Sequence, residues 1–220
     1  MNKAVFLDRD GVIIRKPSEG EYVTRWEEMD VLPGVVEAIG LLNRSKFRVV
    51  VVSNQRCVAK GLVTARELES MHRRMCEQLA AAGATIDGVY YCPHEKWPAC
   101  SCRKPAPGML LDAARRYQLD LAASWMIGDS EVDVEAGINA GCKTARLLES
   151  DMVDDKADVV ASSLREVIDR ILRMEKDIGL HRHRAADGII HWQISKRELT
   201  NEQSAPPQAA SKPPPRPRAK

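Results

Sequence analysis

Ala4-Val5-Phe6-Leu7-Asp8-Arg9-Asp10-Gly11-Val12 is the stretch whose reading decides the fold. A short apolar run stops at two carboxylates separated by one residue. Residues 5–7 read as a buried strand, and the acids sit where it ends. Both acids face one cavity if the chain turns there, and Gly11 permits the turn. Like charges this close repel, so the pair calls for a cation or a shared proton. A hard cation such as Mg²⁺ suits oxygen ligands. A loop with two solvated acids is the plain alternative for this piece alone.

Outward from that strand the pattern repeats. Residues 49–52 form an uninterrupted β-branched run, as expected of a strand covered on both faces. Residues 89–91, 125–127, 145–148 and 159–160 are further short strands. Helices fall between them. Thr64 opens one with Glu67 as a capping box, and Leu68, Met71, Met75 and Leu79 make its stripe before Gly83. Ser163 and Glu166 carry the same start signal. Pro33-Gly34 introduces a helix through Val36, Ile39 and Leu42, and others span about 107–117 and 130–139. Alternation of this kind predicts an α/β fold: a three-layer, Rossmann-like parallel sheet with helices on both faces. Ligands bind such sheets outside the carboxyl ends of the strands.

Three more strand ends carry polar groups. Ser53-Asn54-Gln55 offers small donors for phosphate oxygens, or simply a polar turn. Arg103-Lys104-Pro105 aims an ammonium at a phosphoryl group, or is a surface basic pair. Ile127-Gly128-Asp129-Ser130-Glu131-Val132-Asp133 sets Asp129 towards the cavity of Asp8 and Asp10, with Asp133 placed to orient neighbours. First-turn helix capping is the alternative there.

Of the six cysteines, three fall within eleven residues beside a histidine: Cys92-Pro93-His94, then Cys100-Ser101-Cys102. With no export signal in view, this clustering favours a metal over disulfides. Four protein ligands close a tetrahedral Zn²⁺ site with no position for substrate, so Cys92, His94, Cys100 and Cys102 read as structural; redox cysteines are the alternative. The loop runs straight into Arg103-Lys104, so an ion there would fix the lysine. Cys76 and Cys142 read as small hydrophobes.

Taken together and in this order, the four strand ends resemble the haloacid dehalogenase superfamily of phosphohydrolases, over about residues 3–173. The resemblance implies that Asp8 is the nucleophile and forms an aspartyl-phosphate, and that Asp10 serves as acid and then base. It implies Mg²⁺ at Asp8, Asp129 and the backbone carbonyl of Asp10, with Ser53 and Lys104 on the phosphoryl oxygens. The Cys-Pro-His and Cys-x-Cys-Arg-Lys-Pro elements are similar to those of two groups in it, the heptose bisphosphate and the histidinol phosphate phosphatases. Both lack a large cap domain. Residues 88–94, 104–111 and 124–129 lean to the heptose group. The short metal loop and the length of residues 14–32 also suit the histidinol group. Cys57 stands where the heptose enzymes usually have Gly. Asn54 and Gln55 are candidate substrate contacts, and Arg56 and Arg103 are candidates for a second anionic group. Glu19 and Glu21 would serve an amine-bearing substrate instead. The expected partner is therefore a small phosphorylated metabolite, a sugar bisphosphate first.

Composition bounds the rest. The 220 residues are 44% apolar with net charge +2. Lys212, Arg216, Arg218 and Lys220 account for more than that excess, so the body is slightly acidic. That argues against a nucleic-acid partner, leaving an end-phosphatase or a non-catalytic binding module as the other classes. No apolar run reaches membrane length. A cytoplasmic monomer is expected. Residues 1–173 read as the phosphatase domain, 174–203 as an extension of open structure, and 204–220 as a disordered, Pro-rich basic tail.

Overall fold

The computed structural model describes residues 2–148 and 156–186, with side chains to Asp177. The chain divides into units Met1–Asp177 and Ile178–Lys220; the first is described here. Its strands are β1 (Ala4–Leu7), β2 (Arg48–Asn54), β3 (Gly88–Cys92), β4 (Trp125–Gly128), β5 (Lys143–Leu147) and β6 (Val159–Ala161). They form one parallel sheet in the order β3-β2-β1-β4-β5-β6. β1 lies in the middle, so the chain reverses its direction of winding there. That switch point opens a crevice at the carboxyl ends of β1 and β4.

The helices are α1 (Val35–Arg44), α2 (Ala65–Ala81), α3 (Gly108–Tyr117), α4 (Glu131–Ala140) and α5 (Leu164–Ala186). The period-2 alternation of the strands sorts them into two layers. Val5, Leu7, Val49, Val51, Trp125 and Ile127 face the layer that contains α1, α2 and α5. Phe6, Val50, Val52 and Met126 face α3 and α4. All four residues of β1 are fully buried. Each such Val, Leu or Phe adds roughly 1.5–3 kcal/mol of burial, which anchors the strand end that carries the acids. Among the described residues no separate cap domain interrupts this sheet.

The predicted helix starts are met with one difference. Thr64 and Glu67 make their reciprocal box. At α5 Ser163 Oγ accepts from the Glu166 N–H, but the Glu166 carboxylate returns to Ser162. A single-turn 3-10 helix, Trp26–Glu28, has no counterpart in the sequence reading. The regular pattern fades near Met174 by apolar spacing, whereas α5 continues to Ala186. The tail at 204–220, and the extension beyond residue 186, lie outside the described residues.

Candidate active site

Asp8 is the first residue past β1, and its N–H donates to Ile127 O at 3.0 Å, tying the ends of β1 and β4 together. Its carboxylate accepts from the Arg9 N–H at 2.7 Å and from Lys104 Nζ at 2.9 Å. Lys104 is almost fully buried. Its ammonium donates to Val52 O at 2.8 Å and is ion-paired with Asp8 Oδ1 and with Asp133 Oδ1, the latter at 2.6 Å. A buried ammonium is tolerated only with partners of this kind.

The other acids arrive through α4. Ser130 and Asp133 form a capping box, in which Asp133 Oδ2 accepts from the Ser130 N–H at 3.1 Å and from its hydroxyl. Both Asp133 oxygens are thus engaged, one with the helix start and one with Lys104. Asp129 precedes the cap and points back over the β1 turn. Gly11 makes room for it: its φ is +86°, and a Cβ there would stand 2.3 Å from Asp129 Oδ2. Any other residue would be strained and would collide with the acid. One oxygen each from Asp8, Asp129 and Asp133 lies within 4.8 Å of the others. Lys16 Nζ also reaches Asp129 Oδ2, at 2.6 Å.

Electrostatics follow from that crowding. Burial raises the Asp8 carboxyl to about 7; Lys104 opposes the rise, while Asp133 and Asp10 add to it. Burial also raises Asp129, with Lys16 opposing. The all-oxygen donor set has more negative than positive charge in contact with it. That fits a hard divalent cation.

Asp10 is not in that cluster. Its carboxylate turns away, to Arg9 and to Gln55 Nε2 at 2.9 Å. Its backbone carbonyl is what remains for an ion. Gln55 Nε2 also donates to Ser53 Oγ at 2.8 Å. Asn54 is occupied with Lys104: its amide donates to Lys104 O at 3.1 Å and its oxygen accepts from the Lys104 N–H at 3.0 Å. The amide therefore fixes the lysine's backbone.

The metal loop lies beside this. Cys92 Sγ is 3.5 Å from Cys100 Sγ and 3.6 Å from His94 Nδ1. His94 Nδ1 is 3.2 Å from Cys102 Sγ, and the Cys100 and Cys102 sulfurs are 3.5 Å apart. A tetrahedral ion with bonds of about 2.1–2.3 Å has edges of roughly 3.4–3.8 Å between its ligands. Three of the four separations lie in that range and the His94–Cys102 one is slightly shorter, so the four atoms are spaced to surround one Zn²⁺. Burial and its sulfur neighbours push Cys102 up to about 12. The loop is fastened to the mouth by an Arg56–Glu95 ion pair at 2.5 Å and by Arg103 Nη1 donating to His94 O at 3.3 Å.

Sequence reasoning brought Asp8, Asp10, Ser53, Lys104 and Asp129 to one crevice. It missed Lys16, and it missed Arg9 and His72. His72 carried a signal: it falls on the buried stripe of α2 between Leu68 and Met75.

The chain resembles known proteins in both sequence and fold. Residues 101–167 match the HAD-hydrolase-like family model. A D-glycero-beta-D-manno-heptose-1,7-bisphosphate 7-phosphatase of Bordetella bronchiseptica is 40% identical over 140 residues, covering 64% of this chain and 77% of that protein. The Escherichia coli K12 enzyme of the same name is 35% identical over 185 residues, with 79% and 95% covered. The crystal structure of the D,D-heptose 1,7-bisphosphate phosphatase from B. bronchiseptica, complexed with magnesium and phosphate, superposes with TM-score 0.70 at 34% identity. It covers 78% of this chain and 99% of that one.

Proposed function

The chain belongs to the haloacid dehalogenase-like phosphatases, among relatives that are heptose-1,7-bisphosphate 7-phosphatases, and on that premise we propose that it hydrolyses the 7-phosphate of D-glycero-D-manno-heptose 1,7-bisphosphate through a phosphate ester on Asp8. The observation that carries the reading is the buried Lys104 ammonium held between Asp8 and Asp133 at the strand ends. It sets a cation beside Asp8, the one of these two carboxylates that no helix cap occupies.

Mg²⁺, when bound, supplies charge that keeps Asp8 ionised and neutralises the phosphoryl oxygens. Asp8, Asp129 and the Asp10 carbonyl would hold it. Asp8 attacks phosphorus, and Lys104 and Ser53 bear the developing negative charge. Asp10 gives a proton to the departing sugar oxygen, then takes one from the water that releases phosphate. Asn54 acts through its hold on Lys104, and Gln55 through Asp10. Zn²⁺ at Cys92, His94, Cys100 and Cys102 would keep the segment before Lys104 ordered.

Substrate choice rests on the mouth. We assign a second phosphate to Arg56 and Arg103, which flank the cysteine loop in sequence; it would compete with Glu95 for Arg56. A histidinol phosphate reading has its own support. The cavity beside Asp10, about 590 Å³, is walled by Glu19 and Glu21 as well as Lys16 and Tyr22. The test is kcat/KM for both compounds at matched Mg²⁺. The heptose bisphosphate is expected to be favoured at least tenfold; a preference for histidinol phosphate overturns the assignment, and equal poor rates point to another phosphate monoester. We assign the activity to residues 1–173, so removing 204–220 should leave it unchanged.

A further inference from the structure

Arg9 lies between the two acids of the β1 turn, yet its side chain is 1% exposed. A guanidinium is buried only where acceptors meet its N–H groups. Three of its contacts go to one carboxylate: Nε to Asp10 Oδ1 at 3.2 Å, and Nη2 to Oδ1 and Oδ2 at 3.0 and 3.1 Å. Nη1 points the other way, to His72 Nε2 at 3.1 Å. His72 is equally buried, on α2.

The chemistry of this contact has one solution. Arginine has no lone pair to offer, so His72 Nε2 must be the acceptor. The imidazole is therefore neutral, with its proton on Nδ1. Burial, and then the charge of Arg9, hold the His72 pKa down at about 3. The ring in turn is packed edge-on against Tyr91, centroids 5.7 Å apart, and the Tyr91 hydroxyl donates to Glu69 at 2.9 Å. Thus α2 and β3 hold His72, His72 holds one arm of Arg9, and the rest of Arg9 holds Asp10. Gln55 closes the carboxylate from the other side.

We infer that Arg9 and His72 are positioning residues for Asp10, a buried relay that sets the plane of this carboxylate from outside the cation-binding acids. The inference rests on the reading of Asp10 as proton donor and acceptor. A group that must pass a proton both ways needs one lone pair aimed at the leaving oxygen, and small misplacements cost rate. Contacts on both oxygens from behind provide that aim. A purely structural arginine would have no reason to place most of its contacts on the one acid that changes protonation.

The test uses the leaving group. A sugar alkoxide cannot depart without a proton, whereas p-nitrophenolate can. His72→Leu should lower kcat/KM on the heptose bisphosphate about tenfold and on p-nitrophenyl phosphate less than twofold. His72→Gln, which restores an oxygen acceptor for Nη1, should recover most of the loss. Arg9→Lys should show the same selectivity with a larger fall. Equal losses on both substrates, or none, overturn the inference. If His72→Leu does not fold, His72→Gln and Arg9→Lys carry the comparison alone. Asp10→Asn is the control: should its kcat/KM, which reports the step that expels the leaving group, fall equally on both substrates, the acid role of Asp10 fails. Should it be selective while the Arg9 and His72 variants are not, only the relay fails.

Discussion

The acid cluster and the cysteine loop are two ways of gathering charged ligands. Asp8 and Asp129 follow β1 and β4, neighbours in the middle of the sheet, and Lys104 reaches them from the loop between β3 and α3. Cys92, His94, Cys100 and Cys102 come from one segment and converge across a single loop. The first cluster is held by the core and already contains its counter-ion, Lys104. The second sits at the edge of a core cluster: Cys92 is buried in it, Cys100 and Cys102 pack against it, and His94 is exposed. The acid site is thus preformed by packing, and the loop brings together four ligands that a zinc ion would tie into one unit. The two meet at Lys104, which follows Cys102 by two residues.

The most severe break is Asp8→Asn. It should remove turnover by a factor on the order of 10³ or more. It leaves the shape of β1 and the loop untouched, so zinc content and thermal midpoint should stay near wild type. Residual activity within tenfold of wild type would show that Asp8 is not the nucleophile.

The loop side is broken by Cys102→Ser. About one zinc per chain is expected in the parent by elemental analysis, and none in the variant. Turnover should fall roughly 10–100-fold and not vanish. Asn54 still grips the Lys104 backbone from the sheet side with two hydrogen bonds. A loss as deep as that of Asp8→Asn would mean that the lysine owes its place to the ion alone.

Acid should attack the packed side through His72. Its folded pKa is near 3, below the ordinary 6.5, so the unfolded chain takes up the proton first. This contribution to stability is complete above about pH 6.5 and is lost as pH falls towards 3. The loss is about 1.4 kcal/mol per pH unit within that window. Urea melts of wild type and His72→Gln between pH 6.5 and 4 check it: the variant should have the flatter slope.

The smallest effect belongs to Lys16. Its ammonium is more than half exposed and pairs with Asp129, where the cation would sit. An exposed pair is worth about 0.2–1 kcal/mol. Lys16→Met should therefore tighten Mg²⁺ binding only about two- to fivefold, read by calorimetric titration without substrate. A weakening would show that Lys16 does not compete with the ion for Asp129.

The two clusters were also unequally legible. The cysteine loop can be read from spacing, since its ligands are neighbours in sequence. The acids could be read because each directly follows an apolar run, and a parallel sheet brings such ends together. Arg9 could not be read this way. An arginine beside two acids looks like solvated charge until the fold shows it buried, with α2 supplying the acceptor. Asn54 and Arg56 likewise have ordinary polar-turn sequences. Only the tertiary contacts show one gripping Lys104 and the other paired with Glu95.

By itself, the order of residues determined the alternation of strands and helices, the helix starts at Thr64 and Ser163, and the residue types that end each strand. These depend on period, on capping chemistry and on turn geometry, all of which act over a few positions. Tertiary structure alone decided that Asp133 and Asp8 share one ammonium, that Asp10 turns from the acid cluster to Arg9, and that His72 must be neutral. Those outcomes depend on which charges lose their water together. Desolvation is a property of the packed sheet and its two helical layers.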